Sequence, residues 1–314
     1  MTGDTADPLS RAAVASRGDF HCHSTASDGR VAPAEVVRLA AARGVQVLAL
    51  TDHDTTAGLA EASAAAAAIG IRLVPGVELA CDLPGNELHM LGLFIDPEAA
   101  SLQARLLAMR EARVERGRRT TEALARAGAP VDWARVQAIA GEGSIGRPHV
   151  ARALMEARHV ASIEEAFARF LARGAPGYVE RERLVPAEAI ALVRDAGGLP
   201  VFAHPPFTDG YEALAAELAS AGLWGLEVYY RDYPPERVSA LRALAERLGL
   251  VATGGSDFHA FDREGERAPG EILLPEAALE ALLDAARAAG ARVPGAPGAP
   301  GAPGAPDAGA EPST

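Results

Sequence analysis

Short apolar runs alternate with amphipathic stretches along most of the chain. The runs Val45–Thr51, Ile71–Leu79, His89–Ile95, Leu199–Ala203, Leu223–Tyr229 and Leu250–Thr253 read as strands, and an earlier strand ends within Asp19–His23. Helical patterns lie between many of them. Pro33 and Pro186 fit the first turns of helices over 33–43 and 186–196, where a missing N–H costs no hydrogen bond. This alternation predicts an α/β fold with a mostly parallel sheet, open or closed. From Pro97 to Arg173 the alternation stops and only helical patterns remain. Ser162-Ile163-Glu164-Glu165 reads as a capping box before one of these helices. The expected organisation is one α/β domain in two parts, 17–97 and 175–293, split by an all-helical insertion over 98–174. Residues 1–16 read as a flexible leader. Residues 294–314, with their Gly-Ala-Pro repeats, read as a disordered tail with no catalytic role.

Composition narrows the function. The 314 residues carry 42 acidic and 30 basic side chains, a formal net charge of −12. Such a balance disfavours stable duplex DNA binding or an anionic membrane surface as partner. Every basic residue is Arg; the absence of Lys excludes a Schiff-base lysine and a Walker-type phosphate loop. Two cysteines, Cys22 and Cys81, are too few for a thiolate-rich zinc site or a disulfide framework. There is no basic-then-apolar leader and no apolar run of about 18 residues, so the chain reads as soluble and cytoplasmic.

The chemistry is concentrated in the histidines. Of eight, six fall at or beside predicted strand ends, where the loops of α/β barrels converge on one mouth. His21 and His23 are two apart, so on a strand both imidazoles face one side while Cys22 faces the other. Asp28 follows in a Ser-Asp-Gly turn. A second apolar strand runs into Thr51-Asp52-His53-Asp54, where Asp52 or Asp54 either caps the next helix or orients His53. Glu78 interrupts an apolar strand, an expensive place for an unpaired carboxylate. His89 lies in Leu88-His89-Met90, and His204 follows Val201-Phe202-Ala203. Asp257 and His259 repeat the two-residue spacing after another strand. Ser256 is not in a Gly-x-Ser-x-Gly elbow, which argues against a serine hydrolase. Nine nitrogen and oxygen donors without a thiolate suit two or three divalent ions with room for water.

The order DFHCHSTASDG, LTDHDT, GVEL, an isolated His, AHP and GSDFH resembles the polymerase-and-histidinol-phosphatase (PHP) phosphoesterases over residues 19–260. The helical insertion is similar to that of the branch holding nucleoside 3′,5′-bisphosphate phosphatases and 5′→3′ exoribonucleases. The resemblance implies a distorted seven-stranded βα barrel and three divalent metal ions, manganese favoured and iron or zinc alternatives. One ion would take His21, His23, Glu78 and Asp257. A second would share Glu78 and add His89 and His204. A third would take Asp28, His53 and His259. Water activated by the ions would attack phosphorus, with no covalent nucleophile on the protein.

Substrate contacts are expected from the insertion. Arg110, Arg113, Arg116 and Arg119 form a stripe on one helix, either a solvated face or a phosphate reader. Arg113 and Arg116 resemble the branch's phosphate-binding pair. Arg147 beside Pro148, at a helix start, is a candidate phosphate clamp, with His149 joining it; His159 is a bystander. The chain departs from the branch after His204, where Pro205-Pro206-Phe207 replaces an expected Gly-Arg pair. Trp224 and Tyr229-Tyr230 either stack bases or pack the core. The partner implied is a phosphorylated nucleotide or a short 5′-phosphorylated RNA end. Three alternatives stay open: a histidinol-phosphate-type monoesterase, disfavoured by the arginines; a metal-binding polymerase module, disfavoured by the full ligand set; and an amidohydrolase, disfavoured by the absent Lys.

Overall fold

The computed structural model describes residues 16–83, 86–141, 145–180, 184–231, 233–261 and 266–295. Seven strands form one sheet in sequence order: β1 (Gly18–Asp19), β2 (Val47–Leu50), β3 (Arg72–Leu83), β4 (Asn86–Leu93), β5 (Leu199–Phe202), β6 (Gly225–Tyr230) and β7 (Val251–Gly255). The sheet curls until its edges meet: Phe20 N–H donates to Gly254 O at 3.0 Å, and Cys22 bridges Phe258 in parallel. The result is a nearly closed seven-stranded α/β barrel. Fully buried Phe20, Leu48, Leu50, Leu79, Met90 and Phe202 belong to its core. Truncating one of these leucines to Ala costs about 2–5 kcal/mol.

Parallel pairing is interrupted once. β3 pairs antiparallel with β4, and β4 antiparallel with β5, while the other neighbours are parallel. No helix separates β3 from β4, so the chain turns back directly instead of crossing over. This reversal brings the N-terminal end of β4 to the same mouth as the C-terminal ends of the parallel strands. His89 therefore reaches the site from near the start of its strand, whereas the histidines on parallel strands follow theirs.

Helices α1 (Pro33–Ala42), α2 (Leu59–Ile69), α7 (Pro186–Asp195), α8 (Tyr211–Ser220), α9 (Pro235–Leu248) and α10 (Glu276–Ala288) surround the barrel, with Pro33 and Pro186 in first turns as expected. Between β4 and α7 lie α3 (Ala100–Arg126), α4 (Trp133–Ala140), α5 (Arg147–Glu156), α6 (Ile163–Ala166) and a π-helical turn, Phe167–Leu171. These carry a hydrophobic cluster of their own, including Leu124, Val136, Val150 and Leu154. The 27-residue α3 joins the two cores: Leu102 and Leu106 pack with the barrel, Leu124 with the second cluster. At α6, Ser162 Oγ accepts from Glu165 N–H at 3.1 Å, but the Glu165 carboxylate accepts from Ala161 N–H, so the expected box is half formed. Of the leader only Ser16 is described. It is buried, with its N–H on Gly270 O at 2.7 Å. The tail beyond Gly295 lies outside the described residues.

Candidate metal centre

The mouth is assembled by short polar segments that follow apolar strands. Asp19, at the end of β1, is fully buried and accepts from Ser256 N–H at 3.0 Å, Gly270 N–H at 2.8 Å and His21 N–H at 3.2 Å. It thereby ties the first strand to the last. Burial raises its pKa, against the lowering effect of those donors. Gly255 permits the closure, since a Cβ there would fall 2.1 Å from His21 Cβ. His21 and His23 are wholly buried, and Cys22 turns the other way, its Sγ 3.5 Å from Ser256 Oγ.

Among the described residues, the Asp52 side chain makes neither a helix-cap hydrogen bond nor one to the His53 ring. It accepts from Ser24 N–H (2.8 Å), Ser24 Oγ (2.7 Å) and Ser27 Oγ (2.6 Å), locking the loop that presents Asp28. Asp28 Oδ1 lies 3.3 Å from His259 Nε2, and its Oδ2 lies 4.0 Å from His53 Nε2. Burial would raise its pKa, but His259 and His53 hold it well below the usual carboxylate range.

Glu78 is the hub. The register pairs Ala80 with His89, so Glu78, two residues before Ala80, shares the inner face with that histidine. The carboxylate is 1% exposed and meets five imidazoles: His89 Nδ1 at 2.7 Å, His23 Nε2 at 3.0 Å, His21 Nε2 at 3.1 Å, His53 Nδ1 at 3.2 Å and His204 Nε2 at 3.3 Å. Burial opposes its charge, yet His53, His21 and His89 keep it well below the normal range. In turn, burial is the largest single influence on His89 and lowers its pKa, but Glu78 and Glu87 together push it up to about 9, whereas at His53 burial wins and the pKa falls to about 4. Asp257 completes the ring, its Oδ1 3.2 Å from His23 Nε2, 3.4 Å from His21 Nε2 and 3.5 Å from His259 Nδ1.

Three groups form in which the donor atoms lie within 4.8 Å of one another: His21, His23, Glu78 and Asp257; His53, Glu78 and His89; and His23, Asp28, His53 and His259. His204 joins through its contact with Glu78. All nine sequence candidates therefore converge. Both ring nitrogens of His23, with His53 Nδ1 and His204 Nδ1, are buried without a hydrogen-bond partner. An orphaned buried nitrogen is costly unless something else accepts its lone pair. Imidazoles aimed at carboxylates but off the line of a hydrogen bond are what divalent ions need, so these residues fit metal. Backbone strain agrees: five of the seven non-glycine residues with positive φ among the described residues, Asp54, His204, Arg231, Asp257 and Ala260, lie in these loops.

The sequence reading missed the residues that orient the ligands. Glu227, within β6, accepts from His204 N–H at 2.6 Å and lies 3.0 Å from His21 Nδ1, leaving His21 Nε2 toward the cluster. Its signal was the one used for Glu78, an acid inside an apolar strand. Tyr230 OH donates to Asp257 Oδ2 at 2.7 Å, and Arg231 donates to the same oxygen. Tyr229 and Trp224 pack with the core.

Beside the cluster opens a cavity of about 170 Å³. Asp28, His53, His89 and Glu87 line the barrel side, and Arg113, Arg116, Arg147 and Phe167 the helical side. The arginine stripe of α3 thus divides. Arg110 and Arg119 are exposed, whereas Arg113 donates Nε to Asp54 Oδ2 at 2.7 Å and Arg116 donates Nε to Val179 O at 2.9 Å. Arg147 donates to Glu87 Oε2 at 3.3 Å, its guanidinium 5.6 Å from the Phe167 ring centroid. His149 is 5% exposed and does not line the cavity; its Nδ1 accepts from Gly146 N–H at 3.0 Å, and burial lowers its pKa. His159 Nε2 donates to Pro130 O at 2.9 Å, away from the cluster.

Fold and site together define a metal-dependent phosphoesterase. The chain belongs to the PHP domain family, which matches residues 19–175. It is 39% identical over 248 residues to a 3′,5′-nucleoside bisphosphate phosphatase of Chromobacterium violaceum, covering 77% of this chain and 87% of that protein. A 5′-3′ exoribonuclease of Haemophilus influenzae is 36% identical over 245 residues, covering 77% and 89%. Among solved structures, a putative metal-dependent phosphoesterase from Bifidobacterium adolescentis superposes with a TM-score of 0.76 at 34% identity, covering 85% of this chain and 96% of that one. No helix among the described residues is long and apolar enough to cross a membrane.

Proposed function

We propose that the chain hydrolyses the 3′-phosphate ester of nucleoside 3′,5′-bisphosphates. One observation carries this reading: a single cavity has donors of the ligand cluster on one wall and three arginines on the other. That pairing suits a substrate with two phosphates, one to be cleaved and one only to be held. The helical segment 98–174 acts as the substrate cap. The bisphosphate phosphatase activity of the Chromobacterium violaceum relative supports the substrate class.

In this reading three ions, manganese most favoured, would be bound. His21, His23, Glu78 and Asp257 would hold the first; Glu78, His89 and His204 the second; Asp28, His53 and His259 the third. The ions, when bound, lower the pKa of water and neutralise phosphoryl charge. The protein does the rest. Arg147 and Arg113 bind the 5′-phosphate, Arg147 exchanging the Glu87 carboxylate for a phosphate oxygen, while Arg116 borders the same space. Glu227 and Tyr230 fix His21 and Asp257, so the cleft is organised before substrate arrives. The water oxygen bonds to phosphorus and gives up a proton, the P–O3′ bond breaks, and O3′ takes up a proton, leaving inorganic phosphate and the nucleoside 5′-phosphate. If the phosphate carries a second nucleoside, the same bond cleavage is one step of 5′→3′ exoribonuclease action, the activity of the Haemophilus influenzae relative.

The test compares adenosine 3′,5′-bisphosphate, a short 5′-phosphorylated RNA and histidinol phosphate on the Mn²⁺-loaded protein, with phosphate and mononucleotide release followed separately. Phosphate release from the bisphosphate, well above that from histidinol phosphate, is expected. Preference for histidinol phosphate would overturn the reading.

A further inference from the structure

An exposed aromatic ring borders the centre outside the arginine cavity. Phe207 is 64% exposed, an unusual position for a large apolar ring beside a buried polar cluster. Its centroid lies 5.4 Å from the His204 ring, and the His204 ring lies 5.1 Å from that of His89. Phe207 does not line the arginine cavity; from there it is reached through His89 and then His204. Tyr230 and Tyr233 back it at 5.6 and 6.5 Å, with interplanar angles of 79° and 66°. These edge-to-face contacts fix the ring and leave most of it open. The turn beneath is stiff. Pro205 and Pro206 fix two φ angles, Phe207 N–H donates to His204 O at 3.1 Å, and Thr208 Oγ1 donates to Glu87 O at 3.0 Å. The exposed ring is therefore presented on a braced support.

We propose that Phe207 is the stacking platform for the base of the nucleoside on the 3′ side of the scissile phosphate. This rests on the reading above, which places the 5′-phosphate among the arginines and the scissile phosphate at the ligand cluster. A nucleotide chain that continues past that phosphate from the His89 side of the cavity passes His204 and meets Phe207. An aromatic face accepts any base, since every base has a π-face. The platform extends the substrate class from bisphosphates to short oligonucleotides and gives Pro205-Pro206-Phe207 a function.

The experiment uses Mn²⁺-loaded protein and three substrates: adenosine 3′,5′-bisphosphate, the 5′-phosphorylated dinucleotide ApA, and the same dinucleotide with an abasic second residue. In Phe207→Ala, the ratio of kcat/KM for ApA to that for the bisphosphate should fall about 10-fold. Phe207→Trp should restore it, and the abasic dinucleotide should be insensitive to both changes. An unchanged ratio would overturn the proposal. So would a wild-type protein that releases phosphate from the bisphosphate but no mononucleotide from ApA, and that result would leave the bisphosphatase reading intact. If neither substrate turns over, that reading fails separately. Tryptophan emission of Phe207→Trp then decides: quenching by ApA but not by the abasic dinucleotide supports the platform, and no quenching overturns it.

Discussion

On the barrel side of the cavity, Glu78 is 1% exposed and surrounded by five imidazoles. On the helical side, the Arg147 side chain is 29% exposed and holds one carboxylate at 3.3 Å. The barrel wall is over-determined. Strand register sets which side chains face inward, and each charge is balanced by several others. On the helical wall, the part-exposed Arg147–Glu87 pair is a contact that an incoming phosphate can replace. The first wall suits ions that stay; the second suits a ligand that comes and goes.

The widest gap between the walls should show when a ligand is removed. His21→Ala or Asp257→Ala should lose bound metal together with turnover, on the order of 10³-fold or more in kcat/KM. Full activity in either metal-stripped variant would break the comparison. Glu227→Gln keeps its shape but weakens the hold on His21. Metal affinity or activity should fall about 10–100-fold, with recovery at higher Mn²⁺ concentration separating lost positioning from misfolding. Arg147→Ala should retain metal and raise KM for bisphosphates by about 10-fold, far more than for simple monoesters; equal effects on both would refute the clamp. The smallest effect is expected at Glu87→Gln. Removing this part-exposed competitor for Arg147 should lower KM for bisphosphates by about 2-fold, whereas a rise would show that Glu87 orients the arginine instead of competing with phosphate.

Much of the barrel wall was legible in the sequence because its chemistry follows period-two patterning. His21 and His23 share a face, and Asp257 and His259 repeat the two-residue spacing, so spacing together with their place at strand ends nominated them. Glu78 stood out as an acid within an apolar run. Glu227 carried the same signal in Leu226-Glu227-Val228 and was overlooked because it lies in none of the motifs that carried the family resemblance, whereas Glu78 lies in GVEL. The reversed direction of β4 was harder to read, since one strand without a helix on its near side leaves the pairing partner open. The helical wall was legible only in outline. Four arginines three apart look alike along the chain, and what separates Arg113 and Arg116 from Arg110 and Arg119 is which face of α3 meets Asp54 and Val179. His149 looked like a phosphate ligand from its place at a helix start, yet the fold buries it as the acceptor for Gly146 N–H. Tertiary contact, not local pattern, decided both.

The most direct test of the central claim is the metal content of the purified, Mn²⁺-loaded chain, measured by plasma mass spectrometry against amino-acid analysis. The three donor groups predict about three ions per chain, with Asp28→Ala losing one and keeping the others. A wild-type chain that retains a single ion, or none, would contradict the account.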